Sequence, residues 1–267
     1  EEVNRENPYD RRINAALEAQ GIKTLGIEEQ YLTYGEFLNY EKKLNAALMP
    51  FQKEISKFRQ VKEDWEIDKM RRAQEITDQA FEKILKVIKP GMTEKELTAE
   101  LIYTLYSLGA DGLSFPPIVV SGPNTSKPHG VPGDRALAYG DFITMDFGCL
   151  VDGYCSDQTR TFWVGDAPHK EFRETMKLVR DAQQAALDKM RPGLPLHEAY
   201  TRARGAFEKA GVEAWLTHGL GHGGGLETHE APSLGRPGDT VRARTPNGTA
   251  RRTTRARPRA APRRRRR

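Results

Sequence analysis

The stretch Asp141–Gly165, DFITMDFGCLVDGYCSDQTRTFWVG, carries the clearest structural signal in this chain. Its centre, Asp152-Gly153, is a strong two-residue turn signal between two runs rich in β-forming residues. The stretch therefore predicts a β-hairpin. If Val151 and Tyr154 flank the turn, the numbers of paired residues sum to 305 along the whole hairpin.

This register places two carboxylates on one face of the hairpin. Asp146 lies opposite Thr159, and Asp157 lies opposite Gly148. The two aspartates are then diagonal neighbours, about 7–8 Å apart at the backbone. Two carboxylates within apolar strands repel each other and are poorly solvated, and a divalent cation removes that penalty. We therefore favour a metal site over the alternative, a solvated pair on an exposed face.

Two similar helical units surround the hairpin in the sequence. Residues 55–88 carry apolar residues at helical spacing, and Pro90-Gly91 ends that helix. Thr93 begins the next helix in a capping box with Glu96, and this helix ends near Gly109.

The same order returns in the second half of the chain. A helix predicted over 170–190 ends at Pro192, and a second helix ends near Gly211. Pro90 and Pro192 are 102 positions apart, as are Gly109 and Gly211, which indicates an internal repeat. The alternative is coincidence, because Pro-Gly stops are common.

Four of the six histidines lie in two glycine-containing motifs. His129 belongs to KPHGVPG at 127–133, and His218, His222 and His229 belong to HGLGHGGGLETHEAP at 218–232. A lone histidine is usually structural, but three at spacings of four and seven favour a ligand or proton-transfer site. The glycines match no phosphate-binding pattern, and no nucleophile with its base is recognisable.

The hairpin stretch with its two aspartates and the two histidine motifs together resemble the pita-bread metallopeptidases. The resemblance is strongest to the branch of aminopeptidase P and Xaa-Pro dipeptidase (prolidase). The resemblance covers roughly residues 60–235 and includes the order of the motifs and the eleven-residue spacing of the two aspartates. It implies an α/β (α+β) pita-bread fold with a pseudo-twofold repeat. It also implies a hydrolase, a metal-dependent exopeptidase that cleaves the Xaa-Pro bond at peptide N-termini.

The resemblance also implies a role for each candidate site residue. Asp146, Asp157 and His222 would be metal ligands, and His129 and His229 would contact the substrate and stabilise the intermediate. His218 would line the substrate pocket near the proline. The family uses two divalent ions, of which Mn²⁺ is favoured here and Co²⁺ or Zn²⁺ are alternatives. The implied substrates are peptides with proline at the second position, and family members often form homodimers.

The sequence departs from the family after the HEAP motif. Two glutamate ligands should follow on two further strands, but the only acid after Glu230 is Asp239. Residues 241–263 hold one large apolar residue, Val241, so we expect these second-half strands to be missing. The chain is therefore expected to be impaired as a peptidase.

Residues 236–267 differ in composition from the rest. They hold 13 Arg, no Lys and one Asp, a charge of +12, so the other residues carry −7 of the net +5. Three interpretations of this segment are possible. We favour a shifted reading frame of a GC-rich gene. The alternatives are a basic arm that binds nucleic acid, and a basic tail on a non-catalytic pita-bread binding module. Nucleic acid is not the expected partner, because no aromatic residues are interleaved with the arginines.

The remaining features set the domains and the compartment. Residues 1–55 are predicted to be a remnant of a creatinase/prolidase-type N-terminal domain, 56–235 the incomplete catalytic domain, and 236–267 an Arg-rich tail. No apolar run is long enough to span a membrane. Cys149 and Cys155 lack a CxxC spacing, so we expect free thiols in a reducing compartment, the cytoplasm.

Overall fold

The hairpin turns at Asp152-Gly153, as predicted, with both residues at positive φ (50° and 82°). The computed structural model describes residues 3–165 and 168–235. Every strand pair of the hairpin obeys the predicted register, from Val151 opposite Tyr154 to Phe142 opposite Trp163. The predicted tail at 236–267, and with it the strands expected to be missing, lie outside the described residues.

The chain divides into two compact units after Arg59. The first unit contains α1 (Tyr9–Ala19), β1 (Thr24–Ile27), α2 (Tyr34–Lys43), β2 (Ala47–Pro50) and α3 (Gln52–Arg59). Strands β1 and β2 pair in parallel, with α2 as their crossover. The predicted boundary after residue 55 falls inside α3, and the division into three domains stays a prediction.

The second unit is built around the hairpin. Its elements are α4 (Asp64–Ile84), α5 (Glu94–Ser107), β3 (Gly112–Leu113), β4 (Ile118–Ser121), β5 (Phe142–Phe147), β6 (Cys149–Val151), β7 (Tyr154–Cys155), β8 (Gln158–Trp163), α6 (Lys170–Leu187), α7 (Leu196–Lys209), β9 (Gly221–Gly223) and β10 (Glu230–Leu234). Strands β4, β5 and β8 form one antiparallel sheet, β3, β6 and β7 a second, and β9 and β10 a ladder of their own.

The internal repeat is visible in the elements themselves. Helices α5 and α7 are each 14 residues long and begin 102 positions apart, at Glu94 and Leu196. Each half has its own buried cluster, one around Leu97, Leu101 and Phe147, the other around Leu196. This is the mixed α/β architecture with a repeat that the pita-bread resemblance implies, and the second half has fewer strands than the first among the described residues.

The single helix predicted over 55–88 is wrong at both of its ends. Helix α3 ends at Arg59, and α4 begins only at Asp64. The Glu66 carboxylate accepts the N–H of Glu63 (2.7 Å) and so caps the start of this new helix. Helix α4 then ends at Ile84 rather than at residue 88. The capping box of Thr93 and Glu96 is present as predicted.

Two further predictions concern membrane-spanning segments and the cysteines. Within the parts of the chain that the structure describes, no helix has both the length and the apolar composition needed to cross a membrane. Cys149 and Cys155 are free and buried, and burial raises the pKa of both thiols.

Candidate metal centre

The first candidate ligand, Asp146, lies on β5 directly opposite Thr159 of β8. The Thr159 hydroxyl donates to Asp146 Oδ1 at 2.7 Å. Side chains on this strand alternate between buried and half-buried, and Asp146 is on the half-buried face with Phe142 and Thr144. Its carboxylate is therefore held in place at the sheet surface rather than deep in the core.

The second candidate, Asp157, lies outside the regular strands, which corrects its predicted place within a long strand. The hairpin divides into two ladders because backbone atoms cross closely at Gly148: a Cβ there would lie 1.9 Å from the Ser156 carbonyl oxygen. Ser156 is fixed by its hydroxyl, which lies 2.6 Å from Thr77 Oγ1 and accepts the Cys149 N–H. This break places Asp157 between β7 and β8.

His222 on β9 brings the glycine-rich motif to the hairpin. Its Nε2 lies 3.4 Å from Asp157 Oδ2, and the two side chains are 22% and 14% exposed. The ring of His229 lies beside that of His222, with centroids 4.0 Å apart. The structure therefore gathers Asp157, His222 and His229, three of the six candidate site residues.

The contact between Asp157 and His222 suits a cation. His222 Nδ1 lies 2.9 Å from the Gly223 carbonyl oxygen. When Nδ1 carries the proton and donates it to that carbonyl, Nε2 turns its lone pair toward the Asp157 carboxylate. Two electron-rich atoms then face each other, and a divalent ion that accepts both imidazole nitrogen and carboxylate oxygen removes the repulsion.

The donors do not form a closed site. Over residues 3–165 and 168–235, no three histidine, cysteine, aspartate or glutamate side chains are grouped so that they could hold a metal ion. Asp157 and His222 thus fit a cation as a pair, while Asp146 remains hydrogen-bonded to Thr159.

The other two candidate histidines, His218 and His129, are exposed. His218 Nδ1 lies 2.7 Å from the carbonyl oxygen of its neighbour Gly219. His129 lies exposed in the loop after β4. Their roles in substrate binding stay predictions.

The loop that carries His129 is held by Glu94, a residue that the motifs do not reveal. Glu94 is fully buried at the start of α5 and accepts hydrogen bonds from Ser121 N and Oγ, Asn124 Nδ2 and Gly133 N, at 2.7–3.1 Å. Burial would raise the pKa of Glu94, but the hydrogen bonds from Gly133, Asn124 and Ser121 together outweigh it and hold this pKa below its ordinary value.

The loop that carries His229 is held by a buried ion pair that sequence reasoning also missed. Lys62 Nζ donates to Glu230 Oε2 at 2.7 Å, across 168 positions of sequence. Nearby, the Tyr154 hydroxyl donates to Glu66, and burial followed by the Glu66 carboxylate raises the pKa of Tyr154 to about 12. No local sequence pattern marks Lys62, because only the folded chain brings it to Glu230.

Comparison with known sequences identifies two family profiles. The profile of metallopeptidase family M24 matches residues 68–251, and that of the creatinase/prolidase N-terminal domain matches residues 2–61. The chain is 39% identical over 219 residues to an uncharacterised peptidase, YqhT, of Bacillus subtilis. That alignment covers 82% of this chain and 62% of the relative, so the chain spans less than two thirds of the relative's length.

Comparison with solved structures gives the same picture. An X-Pro aminopeptidase from Thermotoga maritima superimposes with a TM-score of 0.83 at 31% identity, over 90% of this chain and 68% of that structure. An Xaa-Pro dipeptidase from Bacillus anthracis superimposes with a TM-score of 0.81 at 37% identity, over 86% and 64%.

Proposed function

The chain belongs to metallopeptidase family M24, and from this premise we propose that it carries part of a metal-dependent exopeptidase that hydrolyses Xaa-Pro bonds at peptide N-termini. The enzyme would be of the aminopeptidase P or Xaa-Pro dipeptidase type, as two similar solved structures are. The observation that carries the proposal is the 3.4 Å contact between Asp157 and His222, because it joins the two motifs into one donor set.

In this proposal Asp146, Asp157 and His222 would hold divalent cations, with Mn²⁺ favoured over Co²⁺ or Zn²⁺. Such ions, when bound, lower the pKa of a water molecule and polarise the peptide carbonyl. The chain's own contribution is orientation. Gly223 O fixes the ring of His222, and Thr159 fixes the carboxylate of Asp146.

The remaining histidines would bind the substrate, a peptide with proline at its second position. His229 is supported in this role by its ring contact with His222. His129 and His218 are both exposed, so a peptide can reach their side chains. Homodimers and a cytoplasmic location are part of the same proposal, and the two free thiols agree with a reducing compartment.

We further propose that the chain by itself has little or no peptidase activity. No glutamate follows Glu230 in the sequence, so the two glutamate ligands that the family resemblance implies are absent from it. The three remaining ligands, Asp146, Asp157 and His222, can hold one ion only weakly, because each additional ligand contributes to affinity and geometry.

The test combines metal binding with turnover by the purified chain. We expect weak Mn²⁺ binding by isothermal titration that Asp157→Asn abolishes, and no measurable hydrolysis of an Xaa-Pro or Xaa-Pro-Yaa peptide. Asp134→Asn is the control, because that carboxylate is 84% exposed and pairs with Lys95. Chelator-sensitive turnover would refute the proposed impairment. Binding of Mn²⁺ unchanged by Asp157→Asn would refute the metal site, and peptide binding without turnover would favour a binding module.

A further inference from the structure

The ion pair between Lys62 and Glu230 is among the most enclosed polar contacts in the second unit. The Lys62 side chain is 5% exposed and that of Glu230 is 6% exposed, and their charged atoms are 2.7 Å apart. Removing two charges from water is costly, and a buried pair is often no more stabilising than apolar side chains of the same volume. Stability alone therefore does not account for this pair, whereas a requirement for one defined geometry does.

The Glu230 carboxylate closes a short loop on itself. Its second oxygen, Oε1, accepts the N–H of Glu227 at 3.1 Å. Gly225 packs directly against the pair, since a Cβ there would lie 2.7 Å from Glu230 Oε2 and 2.8 Å from Lys62 Cε. The segment 225–230 is thus wrapped around the ion pair with no space for a side chain at Gly225.

Two further contacts fix the same loop, one to the hairpin and one to the segment that follows β3. Cys155 N–H donates to the Gly225 carbonyl at 2.7 Å, and the Thr228 hydroxyl donates to the Ser114 carbonyl at 3.0 Å. The loop is therefore held from two sides. Cys155 and Ser114 hold the Gly225 carbonyl and the Thr228 hydroxyl, and Lys62, two residues before the start of α4, holds the side chain of Glu230.

The residue next to Glu230 is His229, whose ring lies 4.0 Å from that of His222. We propose that Lys62 is a positioning residue: its buried ammonium fixes the loop 225–230 and so holds His229 against His222 beside Asp157. This inference rests on the proposed function for its purpose, since the histidine pair would serve metal and substrate binding. The positioning itself is a property of the apo chain and can be measured without metal.

The test uses the whole chain with the double substitution K62M/E230Q, which removes both charges and keeps an acceptor for the N–H of Glu227. The readout is the imidazole ¹⁵N–¹H spectrum, in which each histidine ring gives its own signals. We expect the signals of His222 and His229 to shift while circular dichroism stays native. The control K95M/D134N removes an exposed ion pair, 60% and 84% exposed, and should leave both rings unchanged.

A second variant covers the case in which the double variant does not fold. K62R keeps the charge but not the shape, and the guanidinium does not fit the space beside Gly225, so the same two rings should shift by less. Unchanged His222 and His229 signals in a folded K62M/E230Q, or in K62R if only that variant folds, would overturn the proposal.

Metal binding separates this inference from the proposed function. We expect K62M/E230Q to weaken Mn²⁺ binding by about tenfold or more, as loss of groups that orient metal ligands usually does. If the unsubstituted chain binds no Mn²⁺, the proposed metal site fails, while the ring signals still decide whether Lys62 positions the histidines.

Discussion

At the scale of single residues, the buried carboxylate of Glu94 is the best-defined anchor of the loop that carries His129. It gathers N–H and O–H donors from Ser121, Asn124 and Gly133, which lie on either side of His129. A carboxylate accepts all of these hydrogen bonds, whereas a neutral amide would turn an NH₂ group toward some of the donors. The negative charge of Glu94 is therefore part of the loop's structure.

We predict that Glu94→Gln lowers the free energy of unfolding at pH 7 by about 1–3 kcal/mol, the cost of leaving buried donors unsatisfied. Because the folded pKa of Glu94 is lowered, its contribution is complete above the ordinary glutamate pKa of about 4.3 and is lost as the pH falls through the folded value. Urea unfolding at several pH values should show the difference between the two proteins shrinking in acid.

Glu96→Gln is the matched control, since Glu96 lies two residues along the same helix and caps it from an exposed position. Its effect at pH 7 should be the smaller of the two. Equal losses for both variants would mean that the buried hydrogen bonds of Glu94 contribute no more than a helix cap.

At this scale, only contacts between residues close in the sequence could be predicted. The capping box of Thr93 and the pairing of Asp146 with Thr159 follow from short-range rules and are present. The donors of Glu94 lie 27–39 positions away, and the partner of Lys62 lies 168 positions away. No periodicity or spacing carries such contacts, because they arise only when the whole unit is packed.

At the scale of elements, the break in the hairpin is what separates Asp157 from the regular strands. The turn signal at Asp152-Gly153 predicts the register of the hairpin, but it does not predict the break at Gly148. A glycine within a strand pattern indicates a bulge or a close backbone approach without showing which of the two occurs. Similarly, the helical periodicity predicts one continuous helix across residues 60–63, but in the structure these residues form the non-helical connection between α3 and α4. Apolar spacing records which face is buried, not where a cap begins a new helix.

We predict that Gly148→Ala destabilises the chain by about 3 kcal/mol or more, the upper range for overpacking. A methyl group there would lie 1.9 Å from the Ser156 carbonyl oxygen and 2.4 Å from Ser114 Oγ. Relieving the first contact requires a shift of the backbone at Ser156, which costs more than a side-chain rotation. Thermal and urea unfolding measure the loss. Gly112→Ala is the control, because its Cβ would meet only the flexible Leu150 side chain, at 3.3 Å. A stable Gly148→Ala protein would contradict the close crossing.

At the scale of the whole molecule, an acidic body that contains the internal repeat is followed in the sequence by the basic segment 236–267. The offset of 102 positions between α5 and α7 was readable from the Pro-Gly stops, because helix ends depend on local residues. The charge was equally readable: residues 236–267 carry +12 and the rest −7. What charge alone predicts is attraction to polyanions, and it contains no information on base sequence.

We therefore predict that the full chain binds duplex DNA at low salt without sequence preference. Binding should weaken steeply with salt, with a slope of log K against log salt of about −0.9 for each phosphate neutralised. Replacing Arg263–Arg267 by glutamine should reduce the magnitude of that slope by up to about 4.5, measured by fluorescence anisotropy. The exposed Lys86→Gln serves as control and should change the slope by about 1 at most. A sequence preference, or an affinity that resists salt, would contradict a purely electrostatic origin and favour a dedicated nucleic-acid arm.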